Sequence, residues 1–410
     1  MADGPSDREM DTSPNVGRRS MLARLVHRIA RLPVEARGLA HSIASRAISG
    51  PADIGRLGKY VASYAIATAA GALFIVANLP LPWLLGPLTI GIILSAAGRP
   101  LAQPNSVVLP LRSLLGVAIG SSFAPALIAK APATALSLIL MIPYTVLITF
   151  LGTVFLERLA RFDRATAFFS AAPGGLADMV IFARDAQADL RRVTLVQAAR
   201  VLAIVFVLPF WLQFVGGLPL GGAMPKALHI WQLPIGDAVL IVAIAWAGWR
   251  AAEKLGLFGG SIVGPMVLSA ILHVLALTTV KVPVEVLIVT QISIGIVIGG
   301  QFKGISLREF VTILSWGFAF AFLLVIAAAA MTLLMARLTG LDATALLLSY
   351  APGGQNEMAV MALILGLDVA IVALHHLLRV MMVIVGAQIV FKQHGWKRRE
   401  PPGHGGRSHR

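Results

Sequence analysis

Two carboxylates stand in apolar surroundings where carboxylates are rare. Asp178 follows Ala172-Pro173-Gly174-Gly175, and Glu357 closes Ala351-Pro352-Gly353-Gly354-Gln355-Asn356-Glu357. A carboxylate at membrane depth is costly and commonly marks an ion or proton site. The Pro-Gly-Gly runs before them break any helix they interrupt, because proline removes a backbone donor and glycine weakens the helix. In hydrocarbon the freed carbonyls and amides need partners, so such breaks occur where protein or a water-filled cavity surrounds them. Half-helix ends then offer fixed partial charges to a solute. Read this way, Pro173, Gly174, Gly175, Asp178, Pro352, Gly353, Gly354, Gln355, Asn356 and Glu357 are substrate- or ion-binding residues. The bland alternatives are a packing kink and a loop tip wetted by bulk water. Two breaks at matched places favour a site over a kink.

Two arginines and a histidine complete the candidate set. Arg200 lies 22 residues after Asp178, and Arg379 lies 22 after Glu357. A guanidinium keeps its charge and can hold a carboxylate through two hydrogen bonds. Each could pair with its acidic neighbour, meet an anionic solute, or snorkel to the interface. His375 and His376 are adjacent and so point to different sides of a helix. His376, one turn before Arg379, is the better candidate to face the repeat interface and relay a proton. The remaining histidines form no metal pattern, and no zinc-protease, phosphate-loop or dinucleotide motif stands in a supporting context. We therefore expect no catalytic residues, no metal, no cofactor and no enzymatic activity.

The elements that must position these residues are membrane helices. Hydrophobic residues make up 57% of the 410-residue chain and charged residues 13%, about half the charged share of a soluble domain. Apolar segments run over 59–79, 83–98, 107–129, 133–156, 165–183, 192–216, 235–250, 260–280, 284–302, 309–336, 343–364 and 368–391. Most approach the roughly 20 residues needed to cross a bilayer. The absence of cysteine excludes disulfides and thiolate metal sites. The net charge of +15 forms no aromatic-interleaved patch, so it reads as membrane orientation rather than nucleic-acid binding.

The chain also repeats itself, at an offset of 179 residues from Pro173 to Pro352. The same offset matches Asp163 with Asp342, Gly116 with Gly295, Gly120 with Gly299, Asp178 with Glu357, Asp189 with Asp368 and Arg200 with Arg379. Two large membrane repeats are the usual plan of a secondary transporter. Arg158, Arg161 and Arg164 precede the first broken segment and Arg184, Arg191 and Arg192 follow it, so both its flanks should be cytoplasmic. The second broken segment has few basic flanks, and both read as external. Two re-entrant segments leave ten crossings in inverted repeats; two full crossings would give twelve in parallel repeats. The ten-crossing plan is the one adopted here.

The resulting division is a basic cytoplasmic tail over 1–56, repeat one over 57–216, an external linker over 217–234, repeat two over 235–391 and a basic cytoplasmic tail over 392–410. Leu22, Leu25, Val26 and Ile29 alternate with arginines, which suits either an amphipathic helix on the inner leaflet or a disordered tail. Residues 1–56 hold no cleavable signal peptide.

The repeated unit resembles the AbrB membrane-protein family. The residues that carry the resemblance are Leu81-Pro82-Trp83-Leu84-Leu85-Gly86-Pro87 and the two Ala-Pro-Gly-Gly motifs, the second continuing through Met358. It covers about residues 60–391. The second copy of the first motif, Gly260-Ser261-Ile262-Val263-Gly264-Pro265, lacks the tryptophan, which weakens any role for Trp83 common to both repeats. The resemblance implies two labels, regulator of gene expression and ammonia monooxygenase. No DNA-reading module and no cluster of nitrogen ligands supports either one directly. The expected protein is all-α and polytopic, in a bacterial inner membrane with both termini cytoplasmic. It would carry a small polar or anionic solute, coupled to H+ or Na+, with the lipid bilayer and a second copy of the chain as its other partners. An indirect membrane regulator is the runner-up, and a membrane oxygenase the third reading.

Overall fold

The computed structural model describes residues 52–221, 228–257, 259–304 and 307–393. The amphipathic stretch at 22–29, most of both tails and Lys226 of the external linker lie outside them. So do the side chains of Leu176, Ala177 and Asp178. The chain divides after Val61. The described part of the first unit is the opening of the first helix, and the second unit holds everything below.

Among the described residues the structure is helical, apart from one isolated β-bridge between Pro80 and Gly221. Repeat one comprises α1 (Ala52–Val76), α2 (Pro82–Ala96), α3 (Asn105–Gly120), α4 (Ala131–Arg158), α5 (Arg164–Ala171), α6 (Leu176–Asp185) and α7 (Leu190–Phe214). Repeat two comprises α8 (Ile235–Lys254), α9 (Gly260–Val274), α10 (Val284–Gly300), α11 (Leu307–Thr339), α12 (Ala343–Tyr350), α13 (Gln355–Ile364) and α14 (Val369–Gln393). The order is the same in both, helix for helix. The apolar stretch 107–129 is not one helix: α3 stops at Gly120, and a 3-10 turn, Pro125–Lys130, leads into α4.

Among the described residues, six helices are long and apolar enough to cross a membrane: α1, α4, α7, α8, α11 and α14. The four shorter apolar helices, α2, α3, α9 and α10, have 15 to 17 residues, about 22–26 Å at helical rise. The centre of the molecule is α7 and α14. Their apolar windows are 72% and 56% buried, against 17–33% for the other four long helices, whose apolar faces are left for lipid.

The short helices interlock the repeats through glycine. A Cβ on Gly116 would meet the Ile262 carbonyl at 2.4 Å, and one on Gly120 the Met266 carbonyl at 2.4 Å, so α3 lies hard against α9. In the matched contact, a Cβ on Gly295 would meet the Leu84 carbonyl at 2.8 Å and one on Gly299 the Gly91 Cα at 2.8 Å, so α10 lies against α2. Small residues four apart allow such backbone approach, where dispersion rather than hydrophobicity holds membrane helices together. Residue numbers rise together across each contact, so the paired helices run in the same direction.

Contacts between the helix ends locate the loops. The Lys281 ammonium, just before α10, donates to the Ser121 carbonyl just after α3. Lys130, at the entry to α4, pairs with Asp368 at the entry to α14. A surface cleft is lined by Leu190, Arg191 and Thr194 at the start of α7 and by Gln301, Lys303 and Gly304 at the end of α10. Outside the glycine contacts, His229 Nδ1 lies 2.7 Å from Glu285 Oε1, which ties the segment before α8 to the start of α10.

Candidate functional site

Each of the two broken segments is a pair of short helices joined by four non-helical residues. Asp163 caps α5 by accepting from the Thr166 amide at 2.9 Å, and Asp342 caps α12 by accepting from the Ala345 amide at 2.7 Å. Such caps satisfy amides that the helix itself cannot. Both helices end after eight residues, because Ala172 and Ala351 turn to extended geometry and a proline follows. The chain restarts at the N-caps Gly175 and Gly354. In repeat one the entry and exit of the pair are held together, since the Asp189 amide donates to Thr166 Oγ1 at 2.9 Å.

The carbonyls freed at the breaks are met by the central helices. On α14, Arg379 Nη1 donates to the Ala351 carbonyl and Nη2 to the Gly353 carbonyl, both at 3.0 Å. His376 Nε2 lies 2.9 Å from the Leu348 carbonyl, and its Nδ1 lies 2.8 Å from Arg379 Nη2. A carbonyl can only accept and a guanidinium can only donate, so His376 is the neutral tautomer with its proton on Nε2. On α7, Arg200 Nη1 donates to the Ala172 carbonyl at 3.3 Å, and Gln197 Nε2 donates to the Phe169 and Ala172 carbonyls at 2.7 and 3.1 Å. Gln197 Oε1 in turn accepts from Arg200 Nη2 at 3.2 Å. Gln197 and His376 stand at the repeat offset, as do the carbonyls they hold. A glutamine and a histidine thus do one job, donating to the half-helix end on one side and accepting from the arginine on the other.

This placement gives the arginines a role the sequence did not suggest, holding backbone carbonyls. Neither snorkels, as Arg200 and Arg379 are each 2% exposed, and among the described side chains, which leave out Asp178, neither guanidinium forms an ion pair with a carboxylate. They neutralise the negative ends of α5 and α12. Each keeps a buried Nε with no hydrogen-bond partner. The breaks also reach across the repeats. A Cβ on Gly174 would meet Val383 of α14 at 2.9 Å, and one on Gly353 would meet Ile204 of α7 at 3.1 Å. Pro173 and Pro352 are buried beside them.

Glu357 occupies the first turn of α13 and is 5% exposed. Its Oε2 has no hydrogen-bond partner, and a Cβ on Gly354 would fall 1.7 Å from it. The carboxylate therefore folds back over the helix N-terminus, where the macrodipole favours an anion, with one oxygen left uncommitted. Gln355 and Asn356 beside it are half-buried. Asp178 takes the matched place in the first turn of α6.

His375 plays a part the sequence reading missed. His376 was expected to be the residue facing the repeat interface, but His375 makes the contact between repeats. Its Nε2 lies 2.8 Å from Ser137 Oγ on α4. Ser137 also meets the Tyr350 hydroxyl at 2.8 Å, and Tyr144 donates to the Tyr350 carbonyl at 3.0 Å. The matched place to His375 is Val196, so only repeat two carries this network. Arg112 on α3 was missed as well. It lies within electrostatic reach of Glu357. Its repeat match is Gln291, and that loss of residue type hid it.

A cavity of about 320 Å³ opens between α4, α5 and α14. Its threonines, Thr145, Thr149 and Thr153, spend their hydroxyls on their own helix, and the rest of its lining is mainly apolar. Its charged residues are Glu157 and Arg164, and elsewhere it offers hydrocarbon contact.

Known proteins resemble this chain in sequence. The family model described as "Transition state regulatory protein AbrB" matches residues 32–394. The chain belongs to the AbrB family. Among AbrB relatives, "Uncharacterized protein YhjN" of Bacillus subtilis (strain 168) is 26% identical over 342 residues, covering 78% of this chain and 89% of the relative. "Putative regulator AbrB" of Escherichia coli (strain K12) is 26% identical over 314 residues, covering 76% and 89%. This AbrB chain thus spans most of the length of both.

Proposed function

We propose that this AbrB-family protein is a secondary transporter of a small polar or anionic solute. It is built from two inverted repeats in a bacterial inner membrane, with both termini cytoplasmic, and H+ or Na+ drives it. The observation that carries the reading is the matched pair of broken helices, whose carbonyl ends are held by α7 and α14 at the contact between repeats. Proteins keep non-helical backbone at membrane depth where protein buries it or where it lines a cavity, and transporters place matched breaks at their sites. Glu357, with its uncommitted oxygen, is the place for the coupling proton or Na+.

Inversion is supported by the loop contacts. The start of α7 lies beside the end of α10. The start of α14 lies with Lys130, on the stretch of chain that leaves α3 at Ser121, where the start of α10 is held by Lys281. The matched helices α7 and α14 therefore begin at opposite ends of α10. The bond from Asp189 to Thr166 supports re-entry of the first broken segment. Six long and four shorter apolar helices then supply the ten crossings.

A membrane regulator is the second reading, favoured by the family description and the printed name of the Escherichia coli relative. Transport or solute sensing could act on expression indirectly. The deciding experiment is uptake into proteoliposomes under an imposed H+ or Na+ gradient, with a panel of small carboxylates and amino acids. Gradient-dependent uptake lost in Glu357→Gln supports transport. Binding of a panel solute without any movement across the bilayer would leave the regulator reading in its place.

A further inference from the structure

Two opposite charges at membrane depth are incompletely satisfied among the described residues: the Glu357 carboxylate takes a backbone hydrogen bond at its own helix start and leaves Oε2 without a partner. Arg112 sits midway along α3, half-buried. It makes no hydrogen bond or ion pair among the described residues, although it is in electrostatic reach of Glu357. Glu357 is almost fully buried and leaves Oε2 unpartnered. The helices that carry them, α3 and α13, pack on each other, with the half-buried Gln355 and Asn356 at the same helix start. A desolvated charge without a partner is expensive, and a buried carboxylate or guanidinium is retained where something pairs with it. A lone anion or a lone cation would satisfy one pole and leave the other bare. A load carrying both charges satisfies the two together. The matched positions carry no such pair, because Gln291 of repeat two stands opposite Asp178 of repeat one in the places of Arg112 and Glu357.

Resting on the transport reading above, we propose that Arg112 and Glu357 are the two poles of the solute site. Arg112 takes an anionic group, in the manner of a guanidinium holding a carboxylate. Glu357 takes a cationic one. The load is a small carboxylate together with a compensating cation, which is either the solute's own ammonium, as in an amino-acid zwitterion, or Na+ from the medium. Arg200 and Arg379 are positioning residues that hold the broken helices around it.

The test starts from Arg112→Cys, the sole cysteine in the full chain, purified and reconstituted. The probes are a cationic and an anionic methanethiosulfonate of similar size. With the guanidinium gone and Glu357 still facing the site, the cationic reagent should react roughly tenfold faster, as unscreened opposite charges at close range permit. Glu357→Gln in the same background should erase most of that preference. A cysteine that neither reagent reaches, or equal rates untouched by Glu357→Gln, overturns the proposal. Thermal shifts of the cysteine-free chain then separate the two sources of the cation. Stabilisation by alanine that is lost in both Arg112→Gln and Glu357→Gln assigns the cation to the solute. Stabilisation by propionate in Na+ but not K+ assigns it to the medium. Stabilisation by propylamine, unaffected by Arg112→Gln, overturns the two-pole site. An intact labelling preference in protein that moves no solute would retire the transport reading and leave the site standing.

Discussion

Replacing Arg379 with methionine should destabilise the protein far more than the same change at Arg200. Arg379 supplies two bonds to backbone carbonyls at 3.0 Å; the Ala351 carbonyl also receives the Gly353 amide at 2.9 Å, but among the described residues no other donor meets the Gly353 carbonyl. Arg200 supplies one, at 3.3 Å, to the Ala172 carbonyl. That carbonyl also receives Gln197 at 3.1 Å and the Gly174 amide at 2.9 Å. Hydrogen bonds to a charged group contribute about 1.5–3 kcal/mol each. Arg379→Met should therefore cost about 3–6 kcal/mol, and Arg200→Met about half of that. Lysine at 379 should recover about one bond's worth, because a single ammonium cannot reproduce the planar fork. The assay is reversible unfolding in mixed micelles followed by circular dichroism, with proteoliposome uptake measured on the same preparations. Equal costs at the two positions would refute the claim that these arginines cap half-helices unequally. A fully stable Arg379→Met that has lost only uptake would show that Arg379 binds solute rather than backbone.

His376→Gln should fold and stay within about 1 kcal/mol of wild type, because Gln197 already performs the matched job; His376→Leu, which strands the Leu348 carbonyl, should cost about 1–3 kcal/mol. Uptake that survives His376→Gln with its proton coupling intact would remove His376 from any proton relay. Gly116→Ala drives a methyl into the Ile262 backbone and should cost about 1–3 kcal/mol or more by overpacking, read as a lower melting temperature. Gly354→Ala meets only the movable end of Glu357, so it should keep the melting temperature and reduce uptake. Lys281, in the loop outside the spans, has its ammonium lowered below the ordinary 10.5 by burial. Its contribution is therefore full above 10.5 and is lost as pH falls through the lower folded value. The stability of wild type relative to Lys281→Gln, measured by unfolding at stepped alkaline pH, should rise as that window is crossed upward.

The all-helical fold and its two breaks were legible because membrane sequences carry them openly. Long apolar runs give helices, and Pro-Gly-Gly stops them at the residues where α5 and α12 end. The offset of 179 residues also marks the reciprocal packing, since Gly116 and Gly120 recur as Gly295 and Gly299 and each pair seats against the other repeat. The chemistry at the breaks was less legible. Gln197 and His376 sit at the same offset, but they share no residue type. Their equivalence rests on geometry, one donor and one acceptor at the right spacing, and not on charge. The arginines looked like partners for carboxylates because charge pairing is the first use a sequence suggests. Backbone carbonyls, invisible in residue types, are among what they hold. Arg112 escaped notice because its match is neutral. His375 was set aside as an alternative to its neighbour, yet both side chains are buried and used, one toward α4 and one toward α12.

The central claim is that the broken segments re-enter and the repeats are inverted. Cysteine accessibility tests this directly in a chain with no native cysteine. Single cysteines go at Arg161, Arg191, Arg337 and Asp368, and a membrane-impermeant thiol reagent is added to intact cells. Labelling at 337 and 368 alone is the expected result, with 161 and 191 reached only after permeabilisation. If 161 and 191 lie on opposite faces, the segment crosses and the repeats are parallel. The site built on re-entrant half-helices then fails with them.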